Sequence, residues 1–214
     1  MKSKKCSFSI LGDSYSTFKA YIPEGYAAYY PNPEKVPDVL RVEDTWWHQL
    51  MQKKGMELLE NNSYSGSTVC SFVRPGQKPF APFVRRIEHA LCAVSDGKPQ
   101  PDYIVLFGAT NDSWLERPVG QLQFADWTEA DLEQVLPAYC YVLDHMRKEN
   151  PQSQILCIIN TDFAPELHAG MVHAAAHYGA VPVELTEIDK SCGHPTKQGM
   201  TQIADQIGAA MFEK

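Results

Sequence analysis

Residues 103–107, Tyr-Ile-Val-Leu-Phe, form an unbroken apolar run that stops at Gly108. A run this short is too brief for a membrane span, and it lacks the alternation of a strand with one wet face. It fits a central strand of a parallel sheet covered on both sides. Similar short runs occur at 7–11, 56–60, 155–159 and 181–185, and most are separated by stretches with helical spacing. Alternation of this kind points to an α/β protein with a mainly parallel sheet.

The intervening segments carry their own signals. Trp46, Trp47, Leu50 and Met51 recur at helical spacing within 43–54, with Gly55 where a C-cap belongs. Helices are also expected at 83–94, at 164–178 and at 196–212. Another is expected after the Thr128/Asp131 capping pattern as far as residue 149, kinked or restarted at Pro137. Residues 21–38 contain Pro23, Pro31, Pro33 and Pro37, which exclude a regular helix or central strand, so an ordered loop is expected. Residues 61–66 also read as loop. With 214 residues and no repeat or linker, the chain is expected to form one domain over 1–214.

Charge narrows the partners. The net charge is −7, and the basic residues concentrate only at Lys2, Lys4 and Lys5, so no phosphate-binding face is expected and nucleic acid is excluded as a partner. The apolar run after those lysines is too short for a leader or membrane anchor, which gives a cytoplasmic expectation and no membrane partner. Cys6, Cys70, Cys92, Cys140, Cys157 and Cys192 are scattered, with neither zinc-ligand nor disulfide-framework spacing. His173 and His177 are four apart, but the residues between them are alanines, so no metal site is expected there.

In an open parallel sheet, ligands bind beyond the carboxyl ends of the strands, which directs attention to the residues there. The first strand leads to Gly12-Asp13-Ser14-Tyr15, the second to Gly66, and the third to Asn111-Asp112, while His194-Pro195 precedes the last helix. These supply what acyl transfer requires: a nucleophile in Ser14, a base in His194, and oxyanion donors in the Ser14 and Gly66 N–H groups and the Asn111 side chain. Asp13 and Asp112, each adjacent to a site residue, read as braces for their loops. Tyr15, Phe72 and Trp114 are candidate walls of a substrate pocket, and the 21–38 loop, with Tyr26, Tyr29 and Tyr30, is a candidate wall of the cleft.

In these four blocks the chain resembles the SGNH (GDSL-type) hydrolases, from Gly12 to His194. The resemblance implies a three-layer α/β/α, flavodoxin-like fold with a five-stranded parallel sheet in the order 2-1-3-4-5. It also implies serine esterase or lipase chemistry on a small-molecule ester, with no metal or organic cofactor. Two positions depart from the pattern. Ala109 stands where the third block usually has glycine, and Ser191 stands where an aspartate usually precedes the histidine by three residues. The acid that orients His194 is then either Asp189, or absent with a carbonyl or Ser191 in its place. The missing aspartate keeps a non-catalytic carbohydrate-binding or interaction module open as an alternative, and transfer to a sugar or thiol acceptor would use the same residues.

Overall fold

A computed structural model describes residues 5–74 and 81–212; Lys2 and Lys4 of the basic cluster lie outside them. Five parallel strands form one sheet in the order β2-β1-β3-β4-β5. They are β1 (Ser7–Gly12), β2 (Glu57–Ser63), β3 (Tyr103–Phe107), β4 (Gln154–Ile159) and β5 (Val181–Glu184). Helices cover both faces, as the sequence leads one to expect.

The period of two in the central strands divides the core between the faces. Ile104, Leu106, Ile155, Cys157 and Ile159 point to one side, where they meet α2 (Phe83–Arg86), α5 (Val135–Glu149) and α6 (Pro165–His177). Val105, Phe107, Leu156 and Ile158 point to the other, against α1 (Trp46–Lys54) and α7 (Lys197–Phe212). Thr45 caps α1 by accepting from the His48 N–H, and Gly55 ends it at φ +66°, a conformation glycine adopts without steric cost. β5 is an edge strand, which is where Pro182, with no N–H to donate, can be tolerated.

Three local expectations need correction. First, β2 does not end at residue 60 but continues through Asn61, Asn62 and Ser63, all buried. Their polarity is met by partners: Asn61 Nδ2 donates to Ser16 O at 3.0 Å and Ser63 Oγ donates to Asn61 Oδ1 at 2.6 Å. Second, the helix expected over 83–94 is broken into α2 and α3 (Ala93–Asp96), with Leu91 in the left-handed region at φ +55°. Third, the Thr128/Asp131 capping box forms but closes only a 3-10 turn, Asp131–Glu133. The helix proper begins at Val135, so Pro137 lies in its first turn, where a missing N–H costs nothing and causes no kink.

Residues 21–38 form a loop without regular helix or strand, fixed at several points. Lys19 N donates to Tyr30 O at 2.9 Å, Tyr29 N to Thr17 Oγ1 at 2.9 Å, and Ser65 N to Ala27 O at 2.8 Å. Tyr30 and Val36 are buried in the α1/α7 core. Before α7 the chain makes a small antiparallel hairpin, β6 (Lys190–Ser191) with β7 (His194–Pro195).

Candidate active site

The carboxyl ends of β1, β2 and β3 and the β6–β7 hairpin converge on Ser14. Ser14 opens a three-residue 3-10 turn after β1. Asp13 caps the turn by accepting from the Tyr15 N–H at 3.0 Å. Gly12 admits no side chain, since a Cβ there would lie 2.5 Å from Ser63 Oγ and 2.9 Å from Ser16. Ser14 is almost wholly buried, and its Oγ stands 3.0 Å from His194 Nε2 across 180 positions of sequence.

The second and third blocks clamp each other. Asn111, in the first turn of α4 (Thr110–Trp114), donates through Nδ2 to Ser67 O at 2.9 Å, which leaves its second amide hydrogen unspent. Asp112 accepts from Val69 N at 2.8 Å and from Cys70 N at 3.2 Å, bracing the same loop. Gly66 has φ +84°, and among the described residues no protein acceptor takes its N–H or that of Ser14. Ala109 sits at φ +70° with an ordinary side chain, a left-handed conformation that accounts for glycine being usual there.

Arg86 lies beneath this junction, a residue that sequence reasoning missed. Its buried guanidinium donates to Gly12 O at 2.9 Å, to Ser67 Oγ at 3.1 Å, to Ala81 O at 2.9 Å, to Asn62 Oδ1 at 2.7 Å and to Asn62 O. Burial pushes its pKa down to about 10, still well above neutrality. One arginine thereby ties β1, β2 and the Gly66 loop together. Nothing in the sequence distinguishes it from its exposed neighbour Arg85.

Of the alternatives open for orienting His194, the geometry favours a backbone carbonyl. Its Nδ1 faces the Cys192 carbonyl at 3.3 Å. The Asp189 carboxylate instead accepts from the Thr196 hydroxyl, and Gln202 Oε1 accepts from the Asp189 N–H at 2.8 Å, so Asp189 braces the entry to α7. Among the described residues no hydrogen bond joins Asp189 to His194. Ser191 is also turned away, its Oγ donating to Lys35 O at 2.7 Å. Burial, reinforced by the charges of Lys35 and Lys190 and opposed by the Cys192 carbonyl, lowers the His194 pKa to about 4.

Tyr15, expected to line a pocket, is fully buried, and its hydroxyl donates to Gly193 O. It is a strut behind the histidine and has no surface to offer a ligand. Phe72 packs at the border of the α5/α6 core with the Arg117 guanidinium 5.2 Å over its ring. Trp114 is half-exposed beside the histidine, its ring 5.4 Å from that of His194. Tyr29, from the 21–38 loop, stacks on His194 with centroids 3.5 Å apart and planes within 4°.

Among the described residues there is no group of three or more His, Cys, Asp or Glu that could hold a metal ion, and no helix long and apolar enough to cross a membrane. His177 stacks on Phe124 at 3.8 Å.

With this geometry in place, the sequence matches the GDSL-like lipase/acylhydrolase family over residues 6–211. The chain belongs to that family. Among solved structures it is similar to a protein assigned as a GDSL-like lipase from Bacteroides uniformis. The two are 37% identical with a TM-score of 0.87, over 97% of this chain and 96% of the other. It is similar also to a protein assigned as a GDSL-like lipase from Bacteroides ovatus, 36% identical with a TM-score of 0.88, over 99% and 100% of the two chains. A family-two carbohydrate esterase from Clostridium thermocellum, 16% identical with a TM-score of 0.63 over 98% and 64%, shares the fold. Comparison with curated proteins finds no match. As a member of the GDSL-like family, the chain is a hydrolase of esterase type.

Proposed function

We propose that this hydrolase cleaves a small-molecule carboxylic ester through an acyl-serine intermediate on Ser14. The observation that carries the reading is the 3.0 Å approach of His194 Nε2 to Ser14 Oγ, within reach for direct proton transfer. Ser14 Oγ attacks the ester carbonyl carbon as its proton passes to Nε2. The carbonyl oxygen, now anionic, is held by the N–H groups of Ser14 and Gly66 and by the free amide hydrogen of Asn111. Collapse breaks the carbon–oxygen bond, and the departing alkoxide takes the proton back from His194. Water, deprotonated by His194, then attacks the acyl carbon and releases the acid.

The base works as one half of a dyad. A neutral imidazole that accepts at Nε2 must carry its hydrogen on Nδ1, and the Cys192 carbonyl accepts from that position, selecting the tautomer that an aspartate would otherwise select. Half-exposed Trp114 forms one wall at the mouth. Resemblance to GDSL-like lipases favours acyl esters, and because a carbohydrate esterase has the same fold, acylated sugars belong in the substrate panel.

A fluorophosphonate that labels serine nucleophiles should add once to the protein, and Ser14→Ala should abolish the adduct. A panel of chromogenic esters from acetyl to long chain, with acetylated sugars alongside, should give turnover that the same substitution removes. A protein that takes no label and turns over no ester would sink the reading.

A further inference from the structure

An aspartate in a serine triad does two things: it fixes the plane of the imidazole, and it stabilises the positive charge that appears when the ring takes the serine proton. Here the Cys192 carbonyl selects the tautomer at 3.3 Å, a long contact, and the charges that bear on the ring, Lys35 and Lys190, are both positive. No carboxylate hydrogen-bonds to His194 among the described residues. The imidazolium would be electrostatically unsupported were it not surrounded by aromatic rings.

Tyr29 lies flat on one face, 3.5 Å away and within 4° of parallel. Tyr15 and Trp114 each stand 5.4 Å off and steeply tilted, and Tyr30 is at 6.4 Å. Backbone bonds hold Tyr29 in place: its N–H donates to Thr17 Oγ1 at 2.9 Å, and Thr17 Oγ1 in turn donates to Ser14 O at 2.9 Å. The stacking ring is thus tied to the nucleophile's own turn. Among the described residues the buried Tyr29 hydroxyl has no hydrogen-bond partner, so it is the ring face, rather than the hydroxyl, that has a task here.

We infer that Tyr29 is a positioning residue for His194, its aromatic face taking the place of the orienting carboxylate. It holds the imidazole plane at rest and stabilises the imidazolium by a cation–π interaction as the Ser14 proton arrives. The attraction between a π face and a ring grows when the ring becomes charged. An interaction that strengthens on the way to the transition state raises turnover, whereas one present equally in the resting state does not. This inference rests on the serine-esterase reading above.

Three substitutions separate the ring face from the space it fills. Tyr29→Phe keeps the face and removes an unsatisfied hydroxyl, so it should retain parental kcat and melt no lower. Tyr29→Leu and Tyr29→Met fill the same space without a π face. Each should lower kcat about twofold to thirtyfold at unchanged KM, the range expected for one cation–π contact. NMR titration of the His194 ring adds a readout independent of turnover: Leu and Met should lower its pKa by about 0.4 to 1.5 units relative to Phe. Equal kcat and equal ring pKa in Phe, Leu and Met would overturn the role of the face. Failure of the esterase reading looks different: the parent itself would then take no fluorophosphonate at Ser14.

Discussion

On the proposed mechanism, His194 acts as base at ordinary pH because burial keeps it neutral, pushing its pKa down to about 4. The acid limb of kcat/KM for a neutral substrate should therefore fall near pH 4 and not near the usual histidine value of about 6.5. A pH–rate profile inflecting at 6.5 would contradict this. Since Asp189 is bonded to Thr196, Asp189→Asn should lower kcat at most about tenfold, far from the roughly 10⁴-fold loss that follows when a triad aspartate is removed. Asn111→Ala should lower kcat by about a hundredfold to a thousandfold, the usual effect of losing one oxyanion donor. Asp13 gives a stability test. Burial raises its pKa to about 7 from 3.8, so between those values the folded protein binds a proton that the unfolded chain has released. Stability then falls as pH rises through that window and levels off above about 7. Asn at position 13 cannot titrate, so the stability of Asp13→Asn relative to the parent should increase from pH 4 to pH 8. Each unit of displaced pKa is worth about 1.4 kcal/mol. Urea denaturation at the two pH values reads the difference directly.

Among the elements, the turns and connections at the strand ends carry more strain and polarity than the strands themselves. Ala109 adopts φ +70° at the entry to α4, where an L side chain costs about 1–2 kcal/mol and glycine costs nothing sterically. Ala109→Gly should stabilise the protein, by less than that figure because glycine loses more freedom on folding. A rise in melting temperature of a few degrees is expected, and a fall would show that the methyl group packs more usefully than the turn suffers. Arg86 gives the opposite sign. Lysine offers three donors at one point and cannot reach acceptors on β1, β2 and the Gly66 loop together, so Arg86→Lys leaves buried acceptors unmet at about 1–3 kcal/mol each. Calorimetry should show a melting temperature lower by about 5–15 °C. These are also the places where sequence reading fell short. β2 was cut at residue 60 because Asn61, Asn62 and Ser63 look like loop until their side-chain partners are known. The 83–94 helix was drawn too long because apolar spacing there is interrupted only by the backbone reversal at Leu91.

Across the whole molecule, the two-sided core was legible because each central strand is apolar on both faces, a pattern that needs no long-range information, whereas the sheet order followed from the family resemblance of the four blocks. Ser14, Gly66 and Asn111 were legible as residues beyond strand ends and His194 as the histidine ahead of the last helix, their roles being implied by the resemblance. What sequence could not give was the partner of each polar group: Asp189 and Ser191 both lie close to His194 along the chain, and both turn elsewhere. His194, the proposed base, rides on a two-strand hairpin outside the main sheet, pinned from several directions. Lys190 Nζ reaches the Asn160 and Thr161 side chains, Tyr15 OH reaches Gly193 O, and Tyr30 OH reaches Pro195 O at 2.8 Å. Ser14 and His194 stand 180 positions apart in sequence and meet only when the hairpin has docked on elements that precede it. With His194 as the proposed base, a ribosome-bound chain that has yet to release this segment has no base, so turnover should report completion of the fold and not its onset. In refolding, protection of β3 and β4 amides should precede the return of activity, and the interval between them times the arrival of the C-terminal segment.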